Sequence, residues 1–61
     1  MFRTARITFD DDRFGETITD IFRVWDDPED TDIHRLTKAV DQALHDAGFR
    51  DFRVIWFAWA N

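Results

Sequence analysis

Two histidines and two acidic runs are the side chains of this chain with the most obvious chemical potential. His34 and His45 are candidates for acid–base work or metal ligation, and each has an i,i+4 neighbour, Lys38 and Asp41 respectively. Eleven positions separate them, which on a helix places them on nearly one face but about three turns apart. They cannot share a metal ion. The runs Asp10-Asp11-Asp12 and Asp26-Asp27-Pro28-Glu29-Asp30-Thr31-Asp32 supply carboxylates in number. The second lacks the glycine turn and the distal glutamate of a helix–loop–helix calcium site. A solvated hairpin tip and a helix entry explain both runs more simply. The chain has no cysteine and no serine, so thiolate metal sites, disulfides and the commonest nucleophiles are absent. Neither a catalytic function nor a cofactor is expected.

Sixty-one residues form one small domain, 1–61, of a size that folds alone only with a dense core or a partner. Seven Phe and three Trp provide unusual apolar area for that length. Thirteen acidic residues against eight basic ones give a net charge of −5, which opposes non-specific nucleic-acid binding. The start of the chain alternates and carries Arg3 and Arg6, unlike a secretory signal. The longest apolar run, 54–60, is too short to span a bilayer. A cytoplasmic protein is expected.

Alternation from Met1 to Phe9 predicts a strand with Met1, Ala5, Ile7 and Phe9 on one side and Arg3 as an intruder among them. Residues 10–16 then form a loop, with Phe14 folding back over the core edge. Thr17 to Trp25 reads as the second strand of a hairpin. Its apolar side is Ile18, Phe22 and Val24, interrupted by Asp20, which argues for an edge strand or a bulge. Helix entry fits a cap at Asp27 before Pro28, or a later start at Asp30 or Thr31. Ile33, Leu36, Val40, Ala43, Leu44 and Ala47 form one apolar stripe over about sixteen residues. Gly48 closes the helix, with Phe49 packing back.

The stretch 52–60 is the final strand, and it is apolar on both sides. The predicted fold is α+β: β-β-α-β, a three-stranded antiparallel sheet of order 2-1-3 with one helix on one face, the third strand beside the second being the alternative. One helical stripe covers one face. Strict alternation assigns Phe52, Val54, Trp56 and Ala58 to the helix side. It leaves Phe2, Arg6, Ile21, Arg23, Trp25, Arg53, Ile55, Phe57 and Trp59 on an open face. Such an aromatic, arginine-containing patch has the composition of a protein interface. Homodimerisation is the expected use and a different protein partner the next.

Base stacking on the same face is disfavoured by the acidic total and by the lack of a Gly-containing aromatic motif in the last strand. Size, charge and missing nucleophiles suit, by analogy, a phage or mobile-element accessory protein that modulates a host protein. One alternative is acidic mimicry of nucleic acid by Asp11, Asp12, Asp26, Asp27, Asp30, Asp32, Asp41 and Asp46. The other is a small ligand- or nucleic-acid-binding module on the open face.

Overall fold

The computed structural model describes residues 1–60. It contains β1 (Phe2–Asp11), β2 (Glu16–Trp25), α1 (Ile33–Asp46) and β3 (Phe52–Trp59). Both pairings are antiparallel and the sheet order is β2-β1-β3, the preferred of the two orders the sequence allows. Among the described residues no helix is long and apolar enough to cross a membrane.

The β1–β2 ladder is unbroken from Phe2 opposite Trp25 to Asp11 opposite Glu16. The strands therefore run two residues further into the acidic stretch than turn propensity suggests. Asp10 and Asp11 are strand residues because each carboxylate has a local use. Asp10 accepts from the Thr17 hydroxyl at 2.7 Å and from Arg53 Nη2 at 2.9 Å. Asp11 is buried and accepts from the Arg13 N–H at 3.1 Å, while its carbonyl takes the Gly15 N–H at 2.9 Å. Gly15 supplies the positive φ (65°) that closes this tight turn. Phe14 does not fold back over the core. It stands 67% exposed at the tip, with the Arg13 guanidinium 5.3 Å from its ring.

Helix entry differs from the expected cap. Pro28 occupies a turn in which the Asp30 N–H donates to the Asp27 carbonyl at 3.1 Å. Three aspartates then hand the chain forward. Asp27 accepts from Glu29 N–H, Asp30 from Asp32 N–H and Asp32 from His34 N–H, all at 2.9–3.0 Å. Asp32 is the N-cap, so α1 has fourteen residues. Ile33 and Ala47, at the two ends of the stripe, are exposed, and the buried centre is Val40, Ala43 and Leu44. The C-terminus closes as expected. With φ 99° at Gly48, its N–H reaches the His45 carbonyl (3.0 Å) and the Phe49 N–H reaches that of Leu44 (3.0 Å). Phe49 then packs against Phe9 with ring centroids 4.8 Å apart.

Phe9 is the hub of the core. It is fully buried and meets Phe22, Phe49 and Phe52 edge-on. Around it lie Ala5, Ile7, Val24 and the buried stripe of α1, which runs against β2. Arg3 is the polar intruder on this side and is accommodated rather than frayed. Its guanidinium lies 4.2 Å over the Trp59 ring and its Nη1 is 3.1 Å from Asp26 Oδ2. Met1, expected beneath the helix, is exposed.

The main departure lies in β3. Phe9 pairs with Val54 but Thr8 pairs with Trp56, so Ile55 is an extra residue and β3 is bulged there. Before the bulge Phe52 and Val54 share the helix side with Phe9 and Asp11. After it the alternation is inverted. Phe57 and Trp59 pair with Ile7 and Ala5 on the helix side, and Trp56 and Ala58 pair with Thr8 and Arg6 on the open side. The assignment by strict alternation is thus overturned for the second half of β3. Accordingly Phe57 and Trp59 pack against the buried cluster, whereas Trp56 is 52% exposed. Denaturant melts of two variants check this division. Trp59→Ala should cost about 2–3 kcal/mol, since it empties half-buried aromatic volume and removes the surface under Arg3. Trp56→Ala should cost less than about 1 kcal/mol.

Candidate functional site

Cross-strand register fixes the rows of the open face. From the hairpin tip towards the other end they read Thr17–Asp10–Arg53, Thr19–Thr8–Trp56, Ile21–Arg6–Ala58, Arg23–Thr4 and Trp25–Phe2. The first row is a polar clamp of Thr17, Asp10 and Arg53 across all three strands. In the second, the two threonine hydroxyls share a hydrogen bond of 2.8 Å. At the far end Phe2 and Trp25 meet edge-on at 5.3 Å, and the Arg23 guanidinium lies 5.4 Å from the Phe2 ring.

Of the residues expected on this face, Phe2, Arg6, Ile21, Arg23, Trp25, Arg53 and the bulged Ile55 are exposed. Phe57 and Trp59 leave it. Trp56 and Ala58 join it, a replacement that binary patterning cannot announce. The exposed apolar residues therefore form two clusters, Phe2–Trp25 at one end and Ile55–Trp56 at the other. Ile21, Ala58, threonines and the unpaired Arg6 lie between them. Arg6 and Arg23 form no ion pair among the described residues.

The acidic candidates divide by what they bond. Asp11, Asp27, Asp30 and Asp32 hold turns and the helix cap. Asp26 lies between Arg3 and, at 3.7 Å, Arg35. Asp46 accepts from Gln42 at 2.9 Å. Asp12 is exposed and Asp41 half-buried. Most of these carboxylates thus have structural partners instead of forming one array of free anions. His45 packs its ring 5.2 Å from Phe52, and His34 is exposed in the first turn of α1. Among the described residues no three His, Cys, Asp or Glu side chains converge as a metal site.

A cleft of about 440 Å³ adjoins the Phe2–Trp25 end of the face. Phe2, Arg23 and Trp25 form its sheet side; Arg35, Lys38, Ala39, Gln42, Ala43 and Asp46 of α1 form the other. The helical members recur every three or four residues, so they belong to one face of α1 alongside β2. Arg23, Lys38 and Arg35 line this cleft together with Asp46, and Arg35 is paired with Asp26 and Asp30 at 3.7 and 3.6 Å. Sequence reasoning did not find it, because Ala39, Gln42 and Lys38 carry no signal until α1 is laid beside the edge of β2.

Comparison with protein-family models, with curated proteins and with solved structures returned no match. Chemistry is therefore read from the residues alone. The site offers cations, aromatic rings and exposed aliphatics but no paired nucleophile and base.

The Asp10–Arg53 pair is perturbed on the open face, the guanidinium raised by its hydrogen bond to the carboxylate. The Thr17 hydroxyl, and after it the Arg53 guanidinium, hold the Asp10 carboxyl below its ordinary range. A depressed folded value contributes stability above the unfolded pKa and loses it as pH falls through the folded one. The carboxylate lies at the sheet surface beside the exposed Arg53 guanidinium, where solvent screens the pair, so the contribution is small. An NMR carboxyl titration should show the Asp10 midpoint below that of a model aspartate. Thr17→Val and Arg53→Gln should each raise it; a midpoint that either variant leaves unmoved would remove that partner as a cause.

Proposed function

We propose that this protein is a non-catalytic protein–protein interaction module whose contact surface is the open face of its sheet. The observation that carries this reading is the exposure of Phe2, Ile21, Trp25, Ile55 and Trp56 on a side of the sheet that no element among the described residues covers. Monomeric proteins seldom leave several large apolar residues grouped on one uncovered face.

A second copy is the proposed partner. Sheets stack face to face at about 10 Å with strands nearly aligned. Take a two-fold axis lying across the strands at the Ile21–Arg6–Ala58 row. It sets the Arg23 row of one copy over the Thr19–Thr8–Trp56 row of the other. The rotation keeps β2 over β2 and β3 over β3, so each Arg23 lies over the partner copy's Thr19 and each Phe2–Trp25 pair over its Asp10 and Thr17.

A face of about 30 Å by 15 Å buries area near the lower bound of specific interfaces. Each copy also carries −5. Self-association should therefore be concentration-dependent and should strengthen with salt, since salt screens the repulsion between like-charged copies.

Sedimentation from low micromolar to hundreds of micromolar tests this reading. The mass should rise from 7.3 kDa towards twice that value. Trp56→Asp should hold the protein at the lower mass with an unchanged melting temperature. A wild type that stays monomeric throughout would overturn self-association.

A further inference from the structure

The ladder hydrogen bonds settle which way the edge of β2 faces. Ala60 N–H donates to the Thr4 carbonyl, so the even residues of β1 turn to β3. Met1 and Asp26 exchange backbone bonds of 3.0 and 2.7 Å, so odd residues of β1 bond even positions on the β2 side. Ile21, Arg23 and Trp25 therefore direct their N–H and C=O groups outward. Ile21 N–H is occupied by the Asp20 carboxylate at 2.7 Å. Arg23 and Trp25, the next outward pair, lie beside the cleft along α1. Asp20 thus marks one end of the usable edge.

We infer that this cleft receives an extended acidic peptide segment of a partner protein, added to β2 as a fourth strand at Arg23 and Trp25. The β2 ladder is regular, as strand addition requires, whereas the opposite edge, β3, is bulged. Small Ala39 and Ala43 leave room on α1 for the alternate side chains of an incoming strand. The charge fits an acidic segment: Arg23 and Lys38 form no ion pair among the described residues, although the chain as a whole is acidic. An acidic segment would meet Arg23 and Lys38, with Arg35 already paired to Asp26 and Asp30 and Asp46 lining the helical side. The inference shares Arg23 and Trp25 with the sheet face but uses the backbone edge, so it does not depend on self-association.

The test uses ¹⁵N-labelled protein carrying Trp56→Asp, at low micromolar concentration, to remove any sheet-face dimer. The probe is a capped octapeptide of alternating Val and Glu. Its two variants are N-methylated at every second residue, one in each phase. The unmodified peptide should shift the Arg23 and Trp25 amides and slow their exchange. One N-methyl phase should abolish binding and the other leave it within about threefold, as only one row of N–H groups faces β2. Lys38→Glu should weaken binding at least fivefold, and a Val–Lys peptide should not bind. Four outcomes would overturn the inference. The Arg23 and Trp25 amides are unmoved at millimolar peptide; both N-methyl phases bind alike, as for a free anion; the Val–Lys peptide binds equally; or concentrating the protein alone shifts these amides, placing a second copy on the edge. Monomeric wild type in sedimentation leaves this test intact, and failure here leaves the dimer test intact.

Discussion

The β1–β3 ladder carries one residue too many on the β3 side, and that surplus, Ile55, governs both surfaces of the sheet. A strand rich in Phe and Trp cannot hide all of them when a single fourteen-residue helix covers one face. Without the bulge, Trp56 and Ala58 would follow Phe52 and Val54 inward while Phe57 and Trp59 faced outward. With it, Phe57 and Trp59 close the core beside Ile7 and Ala5. Trp59 also becomes the surface on which Arg3 lies, and Arg3 in turn reaches Asp26. Thus one inserted residue links the end of β3 to the acidic segment that leads into α1.

The rest of the stability follows from aromatic packing and backbone satisfaction in a chain too short for a large core. Phe9 organises Phe22, Phe49 and Phe52 around itself, and the αL closure at Gly48 delivers Phe49 to that cluster. Aspartates do the complementary work at chain reversals. They accept N–H groups that the hairpin turn and the helix start would otherwise leave without partners. Much of the negative charge is therefore architectural. Arg6, Arg23 and Lys38, which form no ion pair among the described residues, define the character of the open face and the cleft.

Strand and helix order and the C-terminal closure were legible in the sequence because each rests on a pattern with one solution, whereas sheet order 2-1-3 was a preference over pairing the third strand with the second. β1 alternates, α1 has one stripe, and Gly48-Phe49 follows it directly. β3 was not legible in the same way. When residues on both sides of a strand are apolar, a one-residue slip leaves the binary pattern unchanged, so nothing in 52–59 marks where the register breaks. Hence Phe57 and Trp59 were expected on the open face and Trp56 and Ala58 beneath the helix. The helix start was ambiguous for a related reason. Asp27, Asp30, Thr31 and Asp32 can all cap, and the choice falls to Asp32 once Pro28 is used in a turn. The cleft had no signature, since its small and polar helical residues acquire meaning only beside the β2 edge.

The two surfaces proposed for recognition both descend from the same division of the sheet. Its open face exposes Trp56 because the bulge turns that ring outward, and its regular edge is β2 because the irregularity sits in β3. Cross-strand NOEs between β1 and β3 test that division most directly. A bulge at Ile55 predicts Phe9 opposite Val54 and Thr8 opposite Trp56, with the Trp59 indole close to Ala5 and Arg3. An unbroken ladder placing Ile7 opposite Trp56 and Arg6 opposite Phe57 would contradict it and return Phe57 to the open face.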